Sequence, residues 1–329
     1  MDASSGRKIE IFEPFSRAFD LTKLILFQPF DVAKWFVIGF AAFLSHLAGG
    51  GGGQGFNFNS KLMNGDWKWK LRSTTHEAFG SADTLPGWAL PLIGIGVVVG
   101  IALVIVCLWI GARGKFIFTD CVVRNRGAIV EPWRSFKREG NSYFLFSLLV
   151  AVIILAVAGL ASLPLWLPLA IRGEAPQGAN LVMGISLLAI VLMLIMVGYY
   201  LISSFMIPVM YRRKCGAGEA FGASVAAIMA YPGPVILYVL FSVVLYVAFA
   251  MSACLLTCVT CCITAIPYLG TVILLPFYVF FLSYLLLFVR QFGPTYDAWA
   301  NVAAIEAAPS TAATERPASE PPEPPPVQL

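Results

Sequence analysis

The sequence predicts an all-α polytopic membrane protein: six transmembrane helices forming three pseudo-repeated helical hairpins, with cytoplasmic interfacial elbow helices and a small extracytoplasmic β-hairpin. Three observations carry this expectation. Of 329 residues, 59% are hydrophobic and only 12% charged, against roughly 45–50% and roughly 25% in soluble domains. Apolar stretches long enough to cross a bilayer recur along the chain. A short basic motif closes every second stretch. Together they exclude a water-soluble globule, which could not hide so much apolar area in one core.

Residues 1–34 read as a cytoplasmic amphipathic segment, in which Phe15, Phe19, Leu24 and Phe27 interleave with Arg17, Asp20 and Lys23. Asp2, Arg7, Lys8, Glu10 and Glu13 precede any apolar run, so no cleavable signal peptide is expected. The membrane domain covers 35–300. Its first span, about 30–48, is the weakest, because the apolar run 35–47 is short. The outer loop 49–86 opens on the glycine run 49–53. Phe56, Phe58 and Leu62 then alternate with polar residues, as do Trp67, Trp69 and Leu71 beyond Asn64-Gly65. Asn-Gly between alternating segments is a strong hairpin signal and places a β-hairpin over 56–72. The next spans are expected near 87–111, 142–169, 181–210, 234–257 and 270–290. The last two come from 220–289, which holds no Asp, Glu, Lys, Arg or His, with a turn at 265–270. The Pro-rich tail 301–329 has the composition of a disordered segment.

With the N-terminus inside, 17 of the 22 Lys and Arg fall on the inner side and 5 on the outer. The positive-inside rule then puts both termini in the cytoplasm. The inner ends of the even spans repeat one pattern: Arg124-Asn-Arg-Gly127-Ala128, Arg213-Lys-Cys-Gly216-Ala217 and Arg290-Gln-Phe-Gly293-Pro294. An acid, a small or imino residue and an aromatic follow each: Glu131-Pro-Trp133, Glu219-Ala-Phe221 and Asp297-Ala-Trp299, matching Glu13-Pro-Phe15 at the N-terminus. Arg at a helix C-terminus meets the negative end of the dipole and lipid phosphates, and Gly supplies a left-handed stop. The acid favours the start of the next helix, so Glu13, Glu131, Glu219 and Asp297 are the expected elbow-helix starts. The candidate lipid contacts are Arg124, Arg126, Arg134, Lys137, Arg138, Arg212, Arg213, Lys214 and Arg290.

Signals for chemistry are sparse. His46 and His76 have no second ligand at helical or ribbon spacing, so no metal or other cofactor is expected. The glycine run lacks the Lys-Ser/Thr of a phosphate loop. Ser203, Ser204 and Ser283 lack an acid or base and read as helix-packing residues. Seven cysteines do not suggest a disulfide framework, and Cys254, Cys258, Cys261 and Cys262 read as small packing residues. The span centres carry no acid, Lys or Arg, which argues against ion-coupled transport. Pro164, Pro168, Pro208, Pro267 and Pro276 leave open helices broken around a cavity.

The stretch Phe27-Gln-Pro-Phe30-Asp31-x-x-Lys34-Trp35-Phe36-x-x-Gly39-Phe40-x-Ala42-Phe43-Leu44, followed by the glycines and Phe56-Asn-Phe-Asn59, resembles an uncharacterised family of bacterial six-helix membrane proteins. The Arg-x-x-Gly exits look like those of the membrane domain accompanying some glycerophosphodiester phosphodiesterases. The resemblance implies a bacterial inner membrane, and no activity carries over from it, since no phosphodiesterase catalytic domain is read in this sequence. The expectation is a non-enzymatic scaffold or envelope-organising protein. Its partners would be anionic lipids and a membrane or cytoplasmic protein, with no nucleic acid. The alternative is a channel or carrier for small neutral or amphipathic molecules. A third reading, an interfacial lipid enzyme, would draw on Glu131, Asp120 or His76.

Overall fold

The computed structural model describes residues 9–47, 89–164, 167, 171, 179–259, 266–300 and 302. The expected hairpin at 56–72, His76, Cys261, Cys262 and most of the tail lie outside them. All described elements are helical: α1 (Phe12–Phe27), α2 (Val32–His46), α3 (Ala89–Val123), α4 (Val130–Ser135), α5 (Lys137–Ala161), α6 (Ala179–Arg213), α7 (Ala217–Ala230), α8 (Pro232–Val259), α9 (Pro267–Ile273) and α10 (Leu275–Arg290), then a 3-10 turn at Pro294–Tyr296. Four of them, α3, α5, α6 and α8, are long and apolar enough to cross a membrane; α2, α7 and α10 are shorter apolar helices.

The sequence predicts a span ending near 111, and the charged residues that follow are helix as well. At about 1.5 Å per residue, its 35 residues extend about 52 Å, well beyond the roughly 30 Å of hydrocarbon. The apolar run ends at Ala112, but Arg113, Lys115 and Phe116 have adequate helix propensity, so the helix continues to Val123. Likewise α5 begins at Lys137, ahead of the expected 142. Pro208 lies inside α6 without ending it, a position membrane helices tolerate when neighbouring groups satisfy the freed carbonyl.

Two further departures concern the last span. The expected turn at 265–270 is helical from Pro267, which occupies the first turn of α9, where its missing N–H costs nothing. The span itself is broken at Leu274, because Pro276 cannot donate to the Val272 carbonyl. That carbonyl instead accepts the Trp35 indole N–H at 3.0 Å.

Packing is concentrated at one end of the long helices. A core including Ile38, Ala42, Phe116, Cys121, Met206, Met210 and Leu275 joins α2 to the charged third of α3 and to α6 and α10. A second core, with Ala18, Phe205, Tyr238, Tyr284 and Phe288, seats α1 and α8 on α10. The buried face of α1 is Pro14, Ala18, Thr22, Ile25 and Leu26, the last two reaching the first core, while Phe19, Leu24 and Phe27 are exposed. Close approach of α2 and α3 requires glycine. A Cβ on Gly114 would lie 2.6 Å from the Ser45 backbone nitrogen, and one on Gly127 3.3 Å from Lys34 Cα.

The other end of α3 is bare. From Leu92 to Val106 every described side chain is exposed, and eleven of them are Leu, Ile or Val at 40–66% exposure. Leaving these in water would forgo about 10 kcal/mol, comparable to the whole stability of a domain. A lipid environment removes that cost. Cys254 and Cys258 are also exposed, on α8, and so do not fill packing gaps as expected.

Candidate functional site at the arginine exits

Each Arg-x-x-Gly exit closes on itself. At the first, Arg124 Nε lies 3.1 Å from Asp120 Oδ1, and Arg124 Nη1 3.6 Å from Glu131 Oε1. Arg126 donates to Glu131 Oε2 at 2.7 Å and to Asp120 Oδ2 at 3.2 Å. At the second, Arg213 lies 4.0 Å from Glu219; at the third, Arg290 Nε lies 3.0 Å from Asp297 Oδ2. The acid starting each following segment therefore pairs with the arginine ending the preceding helix, and Arg17 pairs with Glu13 within α1 at 2.7 Å.

The turn chemistry differs from the expected glycine stop. At the first two exits the left-handed residue is the one after the arginine, Asn125 at φ 51° and Lys214 at φ 50°. Asn125 and Arg126 donate back to Val122 and Cys121, and Lys214 donates to Met210, which are the helix-ending bonds of Schellman and αL caps. Gly127 serves the approach of α2, and Gly216 is extended (φ −73°, ψ 161°) as the N-cap of α7. Only Gly293 has a positive φ, 144°. Glu13, Glu131 and Glu219 lie in the first turns of α1, α4 and α7. Asp297 follows the 3-10 turn, and its carboxylate accepts the Trp299 N–H at 3.0 Å.

Asp120 is the centre of the first exit. Its carboxylate is 1% exposed and also accepts the Tyr211 hydroxyl at 2.9 Å, tying α3 to α6. Glu131, on the rim, is held below the ordinary carboxylate range by its hydrogen bond from Arg126, and Arg126 is correspondingly raised. Asp120 and Glu131 do converge, but on guanidinium groups.

The remaining expected contacts are arranged differently. Arg134, Lys137 and Arg138 are exposed on α4 and the start of α5 and form no ion pair with the described residues. Lys214 is exposed, 5.9 Å from the Phe136 ring, and Arg212 is half-buried.

Sequence reasoning missed a second polar set one to two turns nearer the start of α3. Arg113 is 5% exposed; its guanidinium lies 4.4 Å from the Trp109 ring and 4.9 Å from that of Trp133. Its Nε and Nη2 donate to Asn141 Oδ1 at 3.2 and 2.9 Å. Lys115 donates to the Tyr143 hydroxyl at 2.8 Å, and Tyr199 donates to Ser147 Oγ at 3.2 Å. The signal was in the spacing: Trp109 stands four before Arg113, on one helical face. Among the described residues, no group of three or more His, Cys, Asp and Glu comes together in a metal-binding arrangement.

A family model spans residues 9–307, nearly the whole chain, including all three exits. The chain belongs to DUF7544, a family of unknown function. No curated protein and no solved structure matches it. The resemblance to phosphodiesterase-associated membrane domains finds no counterpart in these comparisons. Membership in DUF7544 and the four long apolar helices fit an integral membrane protein.

Proposed function

We propose that this DUF7544 protein is a non-enzymatic scaffold of the bacterial inner membrane that contacts anionic lipids and a protein partner through its basic exits. The observation that carries the reading is the exposed set Arg134, Lys137 and Arg138, which lacks acid partners beside an exit whose own arginines are paired. Each cation near an anionic surface contributes about 1 kcal/mol.

Six crossings follow from parity. Lys34 donates to Asn125 at 2.6 Å, and the Glu10 N–H donates to Gln291 at 2.8 Å. The start of α2 and the end of α10 therefore lie at the ends of the long helices where the exits are. Because α3 begins at the other end, the chain crosses once before it, and after α8 it crosses back. The positive-inside count makes the exit side cytoplasmic. Three elbow–hairpin units then account for the recurrence of Arg, left-handed or glycine turn, and acid.

Replacing Arg134, Lys137 and Arg138 by Gln tests the reading. The anionic share of lipids copurifying with the detergent-extracted protein should fall; an unchanged share would overturn it. The Lys115–Tyr143 cluster favours one alternative, a carrier for small neutral or amphipathic molecules, because such groups are costly in lipid without a role. A solute flux in proteoliposomes abolished by Tyr143→Phe would decide for the carrier.

A further inference from the structure

A groove of about 840 Å³ runs between α1 and the end of α10, and a smaller one of about 220 Å³ continues it past Glu13. One wall is a single face of α1, with Arg17, Asp20, Leu24 and Gln28 at helical spacing. The other is Leu287 and Arg290 of α10, and Trp299 completes the lining. Asp297 fixes two of these parts at once, pairing with Arg290 Nε and accepting the Trp299 N–H, each at 3.0 Å.

We propose that this groove binds one anionic phospholipid of the surrounding bilayer, headgroup among the cations and acyl chains along the leucines. The assignment rests on the membrane reading above and gives the third exit, together with α1, a single defined ligand. Arg17, Lys23 and Arg290 face a single lining acid of the larger groove, Asp20, which forms no ion pair with the described residues. Arg17 gives one nitrogen to Glu13 and Arg290 gives one to Asp297. A guanidinium has five N–H donors in a fork suited to phosphate, so both keep donors for a ligand. Lys23 has no acid partner among the described residues and rests 4.4 Å from the Phe19 ring. Leu21, Leu24 and Leu287 supply apolar lining, and Phe19 and Phe27 beside them are exposed at 54% and 50%. That combination on an interfacial helix demands an occupant that is both anionic and apolar.

The test is native mass spectrometry of the full chain extracted in detergent, titrated with phosphatidylglycerol, phosphatidylcholine or inorganic phosphate. A single tightly held phosphatidylglycerol is expected, with phosphatidylcholine held weakly and phosphate not competing. Arg17→Gln with Lys23→Gln should weaken that one adduct about 30-fold, and Asp20→Asn should strengthen it about fivefold, a gain that misfolding cannot produce. The adduct should persist when Arg134, Lys137 and Arg138 are replaced, which separates this site from the broader scaffold reading. Equal retention of the two lipids, competition by phosphate, or indifference to the Arg17, Lys23 and Asp20 changes would overturn the proposal.

Discussion

Replacing Asp120 by Asn should destabilise the protein by about 3 kcal/mol. The carboxylate is almost wholly buried and meets Arg124, Arg126 and the Tyr211 hydroxyl within 3.2 Å. Removing one partner of a buried charge cluster typically costs about 3–5 kcal/mol. The lower end applies because Arg124 and Arg126 remain 27% and 34% exposed and still contact Glu131. Tyr211→Phe removes the charge-assisted hydrogen bond to Asp120 and should cost about 1.5 kcal/mol. In thermal unfolding of the detergent-extracted protein, Asp120→Asn should lower the midpoint by roughly 5–10 °C and Tyr211→Phe by about half as much. The double variant should lose less than the sum, because the two side chains share one bond. An Asp120→Asn midpoint equal to or above that of the wild type would refute the reasoning, since burial of the cluster would then cost more than its contacts return.

Gly114→Ala should cost about 3 kcal/mol because the added methyl meets the α2 backbone, whereas Gly127→Ala, with a 3.3 Å contact, should cost less; the same unfolding assay ranks them. Arg113→Lys keeps the charge but loses the two bonds to Asn141 and the stacking on Trp109 and Trp133, and should cost about 2 kcal/mol. A neutral result in that assay would show that charge alone matters there. Glu131 has its pKa lowered in the folded protein, so its stabilising contribution is present above the unfolded carboxylate pKa and is lost as pH falls through the folded value. The midpoint difference between wild type and Glu131→Gln should therefore be visible at neutral pH and vanish in acid. A difference unchanged across that range would contradict the ion pair with Arg126.

The long apolar helices were legible because composition and length constrain them directly. Helix ends were less so. Ionisable residues end an apolar run in sequence, but not a helix, and α3 carries Arg113, Lys115 and Asp120 on into the packed core. Propensity let the helix continue, and partners on α5 and α6, distant in sequence, made burial tolerable. Pro276 showed the reverse: its effect on the last span depended on Trp35, more than 200 residues away, satisfying the freed carbonyl. At the first two exits the end of one helix and the acid in the first turn of the next were legible. Their closure by ion pairs was not, because spacings of six or seven residues between Arg and acid acquire meaning only once the turn between them is known. Gly127 illustrates the remaining difficulty: its role is contact with α2, which no local pattern encodes.

The most direct test of the membrane account is accessibility at Arg138, exposed at the start of α5 beside the first exit. In a variant with the native cysteines removed, Arg138→Cys should react with an impermeant maleimide in inside-out membrane vesicles and stay unlabelled in right-side-out ones. Labelling confined to right-side-out vesicles would place the exits on the external face and contradict the account.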